Sequence, residues 1–482
     1  MAQGRKPLCG GDESGNDRDI DANRTVISGD ILQNDSPTDP TSYYENNAFF
    51  IFTFVGLTEK FVLDGFVIEH GDAGTHLPAQ NPYEFDPPEY GGGAIFVTES
   101  TSGSMKPPII QNCLVENNFG QMGGAIAASR LAIANEATAD IPVLDIRTST
   151  IRLNYSLGEG GGIALRNTSI SMEGLLVVDN EAASFGGGIT AERVLPPSFA
   201  RGNLGVRLTN CTLASNHVPY DSAAGLLVYN ILEATDVFFL NTICAQNLAV
   251  DDFSCFLTQV LVDIPSDSTL LPDFNYSAFP DATAVQYGEA NVAVVYPLFV
   301  DATNTNRSQR DYRVFLSSPC RDSGQRTGVY MPIDTFDADD DDNVTELLPD
   351  RSRTERVRES DGYTTIVASD IGAFEHDSEP LCASDLNADS QVNASDLGIL
   401  LGMWGACAAN HAPPASACQC ADLNNDTLID AFELGVLLGA WGRCGTSMMV
   451  SSVEGESAED AAPQPSDVAW LFGFASLDEF AL

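Results

Sequence analysis

The sequence predicts an all-β fold of short parallel strands wound coil upon coil, followed by a small α-helical unit built on two acidic loops. Three observations predict it. A nine-residue pattern recurs six times between residues 63 and 247, a glycine cluster follows most copies, and a twelve-residue acidic loop occurs twice, 37 residues apart, towards the C-terminus.

The six copies are 63–71 (LDGFVIEHG), 110–118 (IQNCLVENN), 146–154 (IRTSTIRLN), 172–180 (MEGLLVVDN), 208–216 (LTNCTLASN) and 239–247 (FLNTICAQN), starting 26 to 47 residues apart. Each has apolar residues at its first and sixth positions, Asn, Gly or Thr at the third, and Asn or Gly at the ninth. Apolar positions that alternate over only a few residues mark short strands between turns. Asn and Gly suit corners that need a left-handed backbone. Stacked Asn amides can hydrogen-bond from coil to coil. The clusters at 91–93, 123–124, 160–162, 186–188 and 225 let one corner lie close on the next. Together these features specify a parallel β-helix with coils about 4.8 Å apart; a leucine-rich solenoid would show a tighter period.

Two side-chain expectations follow. Cys113 and Cys211 fill the same place three copies apart, about 14 Å along the axis at strand spacing. That exceeds the roughly 7 Å between Cα atoms that a disulfide tolerates, so both are expected as reduced core residues. Arg147, Glu173 and Arg207 are assigned to the second position of successive copies and are expected to stack outward as an Arg–Glu–Arg ladder.

Over about residues 25–376 this pattern resembles the bacterial right-handed β-helix repeat family of the pectin-lyase-like superfamily. The strings 297–301 (PLFVD), 311–314 (DYRV), 317–320 (SSPC) and 370–375 (DIGAFE) resemble segments that close the C-terminal end of the helix in such proteins. Residues 334–343 (DTFDADDDDN) read as a solvated acidic loop, with a calcium loop as the alternative. In the N-terminal segment 1–24, residues 1–10 (MAQGRKPLCG) lack the apolar stretch of a secretory signal. Because the repeat is already under way near Thr25, the expectation is an incomplete start and a secreted or cell-surface protein.

The strongest chemical signal begins at Asp385. Asp385, Asn387, Asp389, Asn393 and Asp396 place side-chain oxygens at loop positions 1, 3, 5, 9 and 12, with the carbonyl of Gln391 at position 7. In the second loop Asp422, Asn424, Asp426, Asp430 and Glu433 take the same places, and Leu428 is the carbonyl donor. A hard cation needs six to eight oxygens, which this spacing supplies, so Ca2+ is expected in each loop. Ser390 and Thr427 stand where related loops carry glycine, and Asp396 is shorter than Glu433. Each loop feeds an expected helix, over 397–404 and 434–441. The duplicated loop and helix resemble a dockerin over residues 380–446, which implies a cohesin-like or cell-surface protein partner. Positions 10 and 11 (Ala394-Ser395 and Ala431-Phe432) do not repeat as a matched pair, which counts against cohesin. Cys382 and Cys407 bracket the first half and Cys420 and Cys444 the second, so one disulfide per half is expected, reduced thiols being the alternative and Cys418 the odd one. Residues 447–467 read as an acidic linker. The last segment, 468–482, joins an apolar run too short to span a bilayer to a capping-box string, 476–479 (SLDE).

Charge and motif searches bound the function. Among 482 residues, 68 acidic groups face 23 basic ones, a net charge of −45. Such a chain repels phosphate backbones and anionic lipid, which excludes a nucleic-acid partner. No apolar run reaches the 18 to 20 residues of a membrane span. The polygalacturonase-like strings Asn-Thr-Asp, Gly-His-Gly and Arg-Ile-Lys are absent. His70-Gly71 is the nearest match and falls at a repeat corner. His76, His217, His376 and His411 share no spacing, no Ser/His/Asp set or phosphate loop is visible, and Asp251-Asp252 reads as a solvated pair. The expectation is an extracellular calcium-binding protein with a binding, adhesion or structural role, associated with polysaccharide. The alternative is a polysaccharide lyase or glycoside hydrolase acting on acidic polysaccharide.

Overall fold

The computed structural model describes residues 24–33, 47–73, 91–98, 106–129, 141–193, 204–219, 223–229, 236–251, 254–256, 259–262, 272–280, 288–294, 297–314, 318–321, 323–325, 331–334, 346–351, 369–375, 391–402, 404–406, 428–439 and 441–443. The chain divides into two compact units. The first runs to His376, apart from two short excursions; the second is mainly Asp377–Leu482.

Among the described residues of the first unit the chain visits four sheets in rotation; apart from the antiparallel pair Leu248–Asp251 and Ser254–Phe256 in the third, strands bond in parallel to their counterparts on the neighbouring coils. Within the described residues face 1 has seven strands, from Val62–Asp64 to Asp273–Asn275, and face 2 has nine, from Thr25–Ser28 to Val292–Ala293. Face 3 is built of two- to four-residue strands from Phe119–Gly120 to Leu248–Asp251. Face 4 has seven strands, from Phe52–Val55 to Val260–Val262. This arrangement of stacked parallel strands is compatible with a β-helix.

The repeat alignment coincides with the strand register. Leu63 pairs with Ile110, Ile110 with Ile146, Ile146 with Met172, Met172 with Leu208 and Leu208 with Phe239. These first-position residues and the sixth-position Ile68, Val115, Ile151, Val177, Leu213 and Cys244 all enter one buried core. Cys113 and Cys211 lie in that core outside any disulfide, each Sγ donating to backbone carbonyls. Face 2 already begins at Thr25–Ser28, which pairs with Phe66–Glu69. A seventh copy, missed in the sequence, starts at Phe274, which pairs with Phe239. Its third position is Tyr276 rather than Asn, and its Phe274 and Phe279 pack with Phe239 at ring-centroid distances of 4.8 to 5.9 Å.

Every third-position residue, from Gly65 to Tyr276, has a left-handed backbone. The second left-handed corner is the eighth position, filled by His70, Asn117, Leu153, Asp179, Ser215 and Gln246. The ninth-position Asn next to it forms the expected ladder. Asn118, Asn154, Asn180 and Asn216 each donate a side-chain amide to the Asn one coil on, at 2.9 to 3.0 Å, and the backbone N–H of each donates to the same oxygen. Gln259 ends the series by accepting from Asn247 at 2.7 Å. The glycine clusters serve close backbone approach: a Cβ on Gly161 would lie 2.2 Å from the carbonyl oxygen of Gly187.

Three expectations need correction. Glu173 pairs in register with Arg147 on one side and with Thr209 on the other, while Arg207 aligns with Ser171. Arg207 precedes the first position of its copy, so it falls in the neighbouring row, where its guanidinium lies 5.5 Å from the Phe238 ring centroid. The Arg–Glu–Arg ladder is therefore a pair.

The second correction concerns the segments expected to close the end of the stack. Phe299–Asp301 and Asp311–Val314 form an antiparallel hairpin. Phe299, Tyr312, Val314, Cys320 and Ile371 share a second apolar cluster with Leu176, Val178, Ala214, Ile243, Ala245 and Ala278, which are outward residues of face 2. The described parts of these segments thus lie along the side of the stack. The physical cause is the seventh repeat position, which reads Glu69, Glu116, Arg152 and then Val178, Ala214, Ala245: charged for three copies, apolar for the next three. Finally, Asp334 is buried, and its N–H donates to Glu346 O at 2.9 Å, so it is no part of a solvated loop. Residues 335–343 lie outside the described residues.

Candidate functional site

The second unit contains two copies of one loop-and-helix design. The short strands Gln391–Val392 and Leu428–Ile429 lead into helices α1 (Ala394–Gly402) and α2 (Ala431–Gly439), which are followed by the short strands Gly405–Ala406 and Gly442–Arg443. Both helices start three residues earlier than expected, because the last loop residues already form their first turn. Asn393 caps α1: Ser395 N–H donates to its side chain at 2.8 Å, while Asp396 accepts from Asn393 N–H at 2.8 Å. Asp430 and Glu433 repeat the arrangement, at 2.7 and 2.8 Å. The last carboxylate of each loop therefore also completes a capping box.

Pairing between the strands is crossed. Gln391–Val392, from the first loop, pairs antiparallel with Gly442–Arg443, the exit of the second half. Leu428–Ile429, from the second loop, pairs with Gly405–Ala406, the exit of the first. Gly405 and Gly442 adopt φ values of +117° and +127°, which a residue with a Cβ enters only under strain. Val392, Leu397, Leu400, Ile429 and Leu437 form the shared core.

Asp396 and Glu433 are both fully buried. Oε2 of Glu433 accepts from Asp430 N–H, but its Oε1 has no hydrogen-bond partner among the described residues. A carboxylate oxygen taken from water without a partner is costly, and it is the kind of donor a hard cation accepts. Asp385, Asn387, Asp389, Asp422, Asn424 and Asp426 lie outside the described residues, as do the five module cysteines, the 447–467 linker and the 468–482 segment. Among the described residues, no group of three His, Cys, Asp or Glu side chains gathers as a metal cluster.

Among its described residues the stack carries three polar clusters that sequence reasoning missed. On the outer side of face 4, Arg166, Glu192 and Tyr229 lie in register on successive coils. Arg166 Nε sits 3.1 Å from Glu192, and Tyr229 donates its hydroxyl to Glu159 at 2.5 Å. Burial, with Glu192 adding to it, holds the Glu159 carboxyl above its ordinary range, against the opposing pull of Tyr229 and Arg166. Burial, reinforced by Glu159, likewise pushes the Tyr229 hydroxyl up. Each of the three face 4 residues stands three places after the first apolar residue that follows a glycine cluster, so aligning the chain on those clusters would have paired them.

On face 3, Glu181 faces His217 at 3.6 Å, and this contact holds the Glu181 carboxyl below its ordinary range although burial opposes it. The third cluster surrounds Asp179, which is buried at a corner. Tyr312 donates to Asp179 Oδ2 at 2.7 Å, Arg310 pairs with Oδ1, and Arg307 Nη2 donates to the Asp179 carbonyl at 2.6 Å. Burial first, and Asp179 second, push the Tyr312 hydroxyl up. Arg152 to Ser308 O (2.9 Å) and Arg351 to Thr150 (3.0 Å) pin the same covering segments to the third coil. His70 sits at a left-handed corner, and its Nδ1 lies 3.3 Å from Ser28 Oγ. Asp251 ends a face 3 strand, while Asp252 lies outside the described residues.

Comparison with protein-family models finds no match, and comparison with curated proteins finds none either.

Proposed function

We propose that this is a secreted or cell-surface calcium-binding protein in which a right-handed parallel β-helix of the pectin-lyase-like kind carries a dockerin-like module at residues 380–446. Its role in this reading is binding, adhesion or structural support, in association with polysaccharide, with the module facing a cohesin-like or cell-surface protein. The observation that carries the reading is the buried Oε1 of Glu433, at position 12 of a loop whose other oxygens follow the calcium spacing. Asp385, Asn387, Asp389, Asn393 and Asp396 with the Gln391 carbonyl would hold one ion. Asp422, Asn424, Asp426, Asp430 and Glu433 with the Leu428 carbonyl would hold the other. Bound calcium supplies charge to the buried carboxylates and ties each loop to its helix. Isothermal titration of the full chain with calcium is expected to give two sites. Less than one bound ion per chain sinks the reading.

The face 4 cluster favours a second reading, that of a glycoside hydrolase. Two carboxylates held in unlike environments are how one site runs acid and base chemistry together. Glu159, with its raised proton affinity, would serve as acid, and Glu192, held by Arg166, as base. A screen for reducing ends on acidic polysaccharides tests it: release that Glu159→Gln abolishes supports the reading, and no release from any substrate removes it.

A further inference from the structure

Among the described residues, three sheets of the stack are open at both ends. Thr25–Ser28, Phe52–Val55 and Val62–Asp64 begin faces 2, 4 and 1, and each pairs with a strand on one side only. Val292–Ala293, Val260–Val262 and Asp273–Asn275 end the same three sheets in the same way. Face 3 differs, because Ser254–Phe256 folds back antiparallel on its last parallel strand. The core is open where the sheets are. One inward row of face 4 runs from Phe52 to Val260 through Ile126, Ile163 and Ile189, among others. Those three are fully buried, whereas Phe52 and Val260 at the two ends are only partly so. Val26, Val55 and Val62 on the opening strands and Leu261 on a closing one are exposed. Unpaired strand edges beside half-covered apolar side chains are a template for further strands.

We infer that the two ends of the first unit form one heterologous interface, which takes a second copy of this chain head to tail. The closing coil of one copy seats on the opening coil of the next. The open edges select this occupant, because they match sheet for sheet: faces 1, 2 and 4 at either end. A second copy so placed continues all three in parallel. On face 4, Val260 and Val262 of one copy extend the rows that start at Phe52 and Phe54 of the next, at the strand spacing of about 4.8 Å. Charge selects the same arrangement. No lysine or arginine lies between Arg207 and Arg307, while Asp251, Asp273 and Glu289 stand on the closing coils. Arg24 and Lys60 are exposed beside the opening strands. Two closing ends set carboxylates against carboxylates, and two opening ends set Arg24 and Lys60 against themselves. Head to tail joins unlike charges and keeps the strands parallel. Such an interface does not close on itself, so copies add one after another.

The test is sedimentation velocity of the full chain at physiological ionic strength, where charges more than about 8 Å apart are largely screened. With rising concentration the mass is expected to climb past twice the 51.4 kDa of one chain without a plateau. V55E blocks the opening end and L261E the closing end, both at exposed positions. Each alone is expected to weaken association roughly tenfold or more, because it puts an unpaired carboxylate into an apolar contact. Each variant keeps one good end, so an equimolar mixture of the two is expected to form dimers and stop there. Circular dichroism checks that both fold, and V26E or A293E replaces one that does not. Chains that stay monomeric at every concentration overturn the inference, as does association that neither variant changes. A dimer abolished by one variant and untouched by the other shows like ends meeting and overturns it too. None of these outcomes bears on the calcium reading, which concerns the second unit.

Discussion

The two units solve the problem of a repeated sequence in opposite ways. In the stack, every copy meets another like itself above and below, so backbone groups and Asn amides are satisfied by translation along one axis. In the module only two copies exist, and they exchange strands with each other, leaving a buried oxygen on Glu433. Translation needs no ion, because each added coil brings the partners the last one lacked. Reciprocal exchange closes after two copies and leaves charge inside a small core. On the calcium reading proposed above, dependence on the ion is expected to be confined to the second unit.

The largest expected effect tests that confinement. Chelating calcium, or introducing Glu433→Ala, should remove the cooperative unfolding of the module and leave that of the stack in place, since folding free energy in a metal-organised unit is largely binding free energy. Differential scanning calorimetry of the full chain with and without chelator would show it. A stack transition that falls together with that of the module would break the distinction.

Next comes Asp179, where the stack ceases to be self-sufficient. The covering hairpin is held to the fourth copy by Arg307, Arg310 and Tyr312, all meeting this one residue. Asp179→Ala leaves the buried Tyr312 hydroxyl without this acceptor and two partly exposed guanidiniums without their carboxylate, a loss of about 1–3 kcal/mol. Urea unfolding should record the loss, and limited proteolysis should cut within 299–314 sooner than in the wild type. An unchanged cleavage rate would mean that the apolar cluster alone holds the hairpin. Asn180, the next residue, points the other way, into the ladder. Asn180→Ala removes its bonds to Ile151 O and Asn216 and the acceptor of two Asn154 donors. Unsatisfied buried groups put the cost at about 2–3 kcal/mol, read by the same urea titration with no gain in proteolysis at the hairpin.

Legibility followed the range of the forces involved. The strand register could be read because the first and sixth positions must be apolar in every copy, and the ladder because one amide serves both neighbours. The eighth-position corner could not be read: His70, Asn117, Leu153, Asp179, Ser215 and Gln246 share no chemistry, although all adopt the left-handed turn. The covering hairpin was half visible, in the change from Arg152 to Val178 at the seventh position, but its strings were assigned to the end of the stack by resemblance. The loop oxygens are a reading of spacing alone, because Asp385, Asn387, Asp389, Asp422, Asn424 and Asp426 lie outside the described residues. The crossed strand pairs were not legible, since a 37-residue repeat is equally compatible with pairing inside each half.

The smallest expected effect lies at Glu173, where the outward row was expected to be a three-membered ladder. Arg147 holds Asp145 with two short bonds, at 2.6 and 3.0 Å, and reaches Glu173 only at 3.7 Å. Arg147 therefore keeps a carboxylate when Glu173 is removed. Burial raises the Glu173 carboxyl above its ordinary value, and the pull of Arg147 only partly offsets this. A carboxyl raised on folding holds its proton more tightly in the native state, so its stabilising contribution is complete below the unfolded value near 4.5 and fades as pH rises through the folded value. At pH 7 the ionised side chain contributes little, and Glu173→Gln should change stability by less than about 1 kcal/mol, the usual scale of such pairs. Towards pH 4 the wild type should gain on the glutamine variant. Urea midpoints of both proteins across pH 4 to 7 test this, and a variant losing more at pH 7 than at pH 4 would show that the Arg147 pair, not burial, governs the residue.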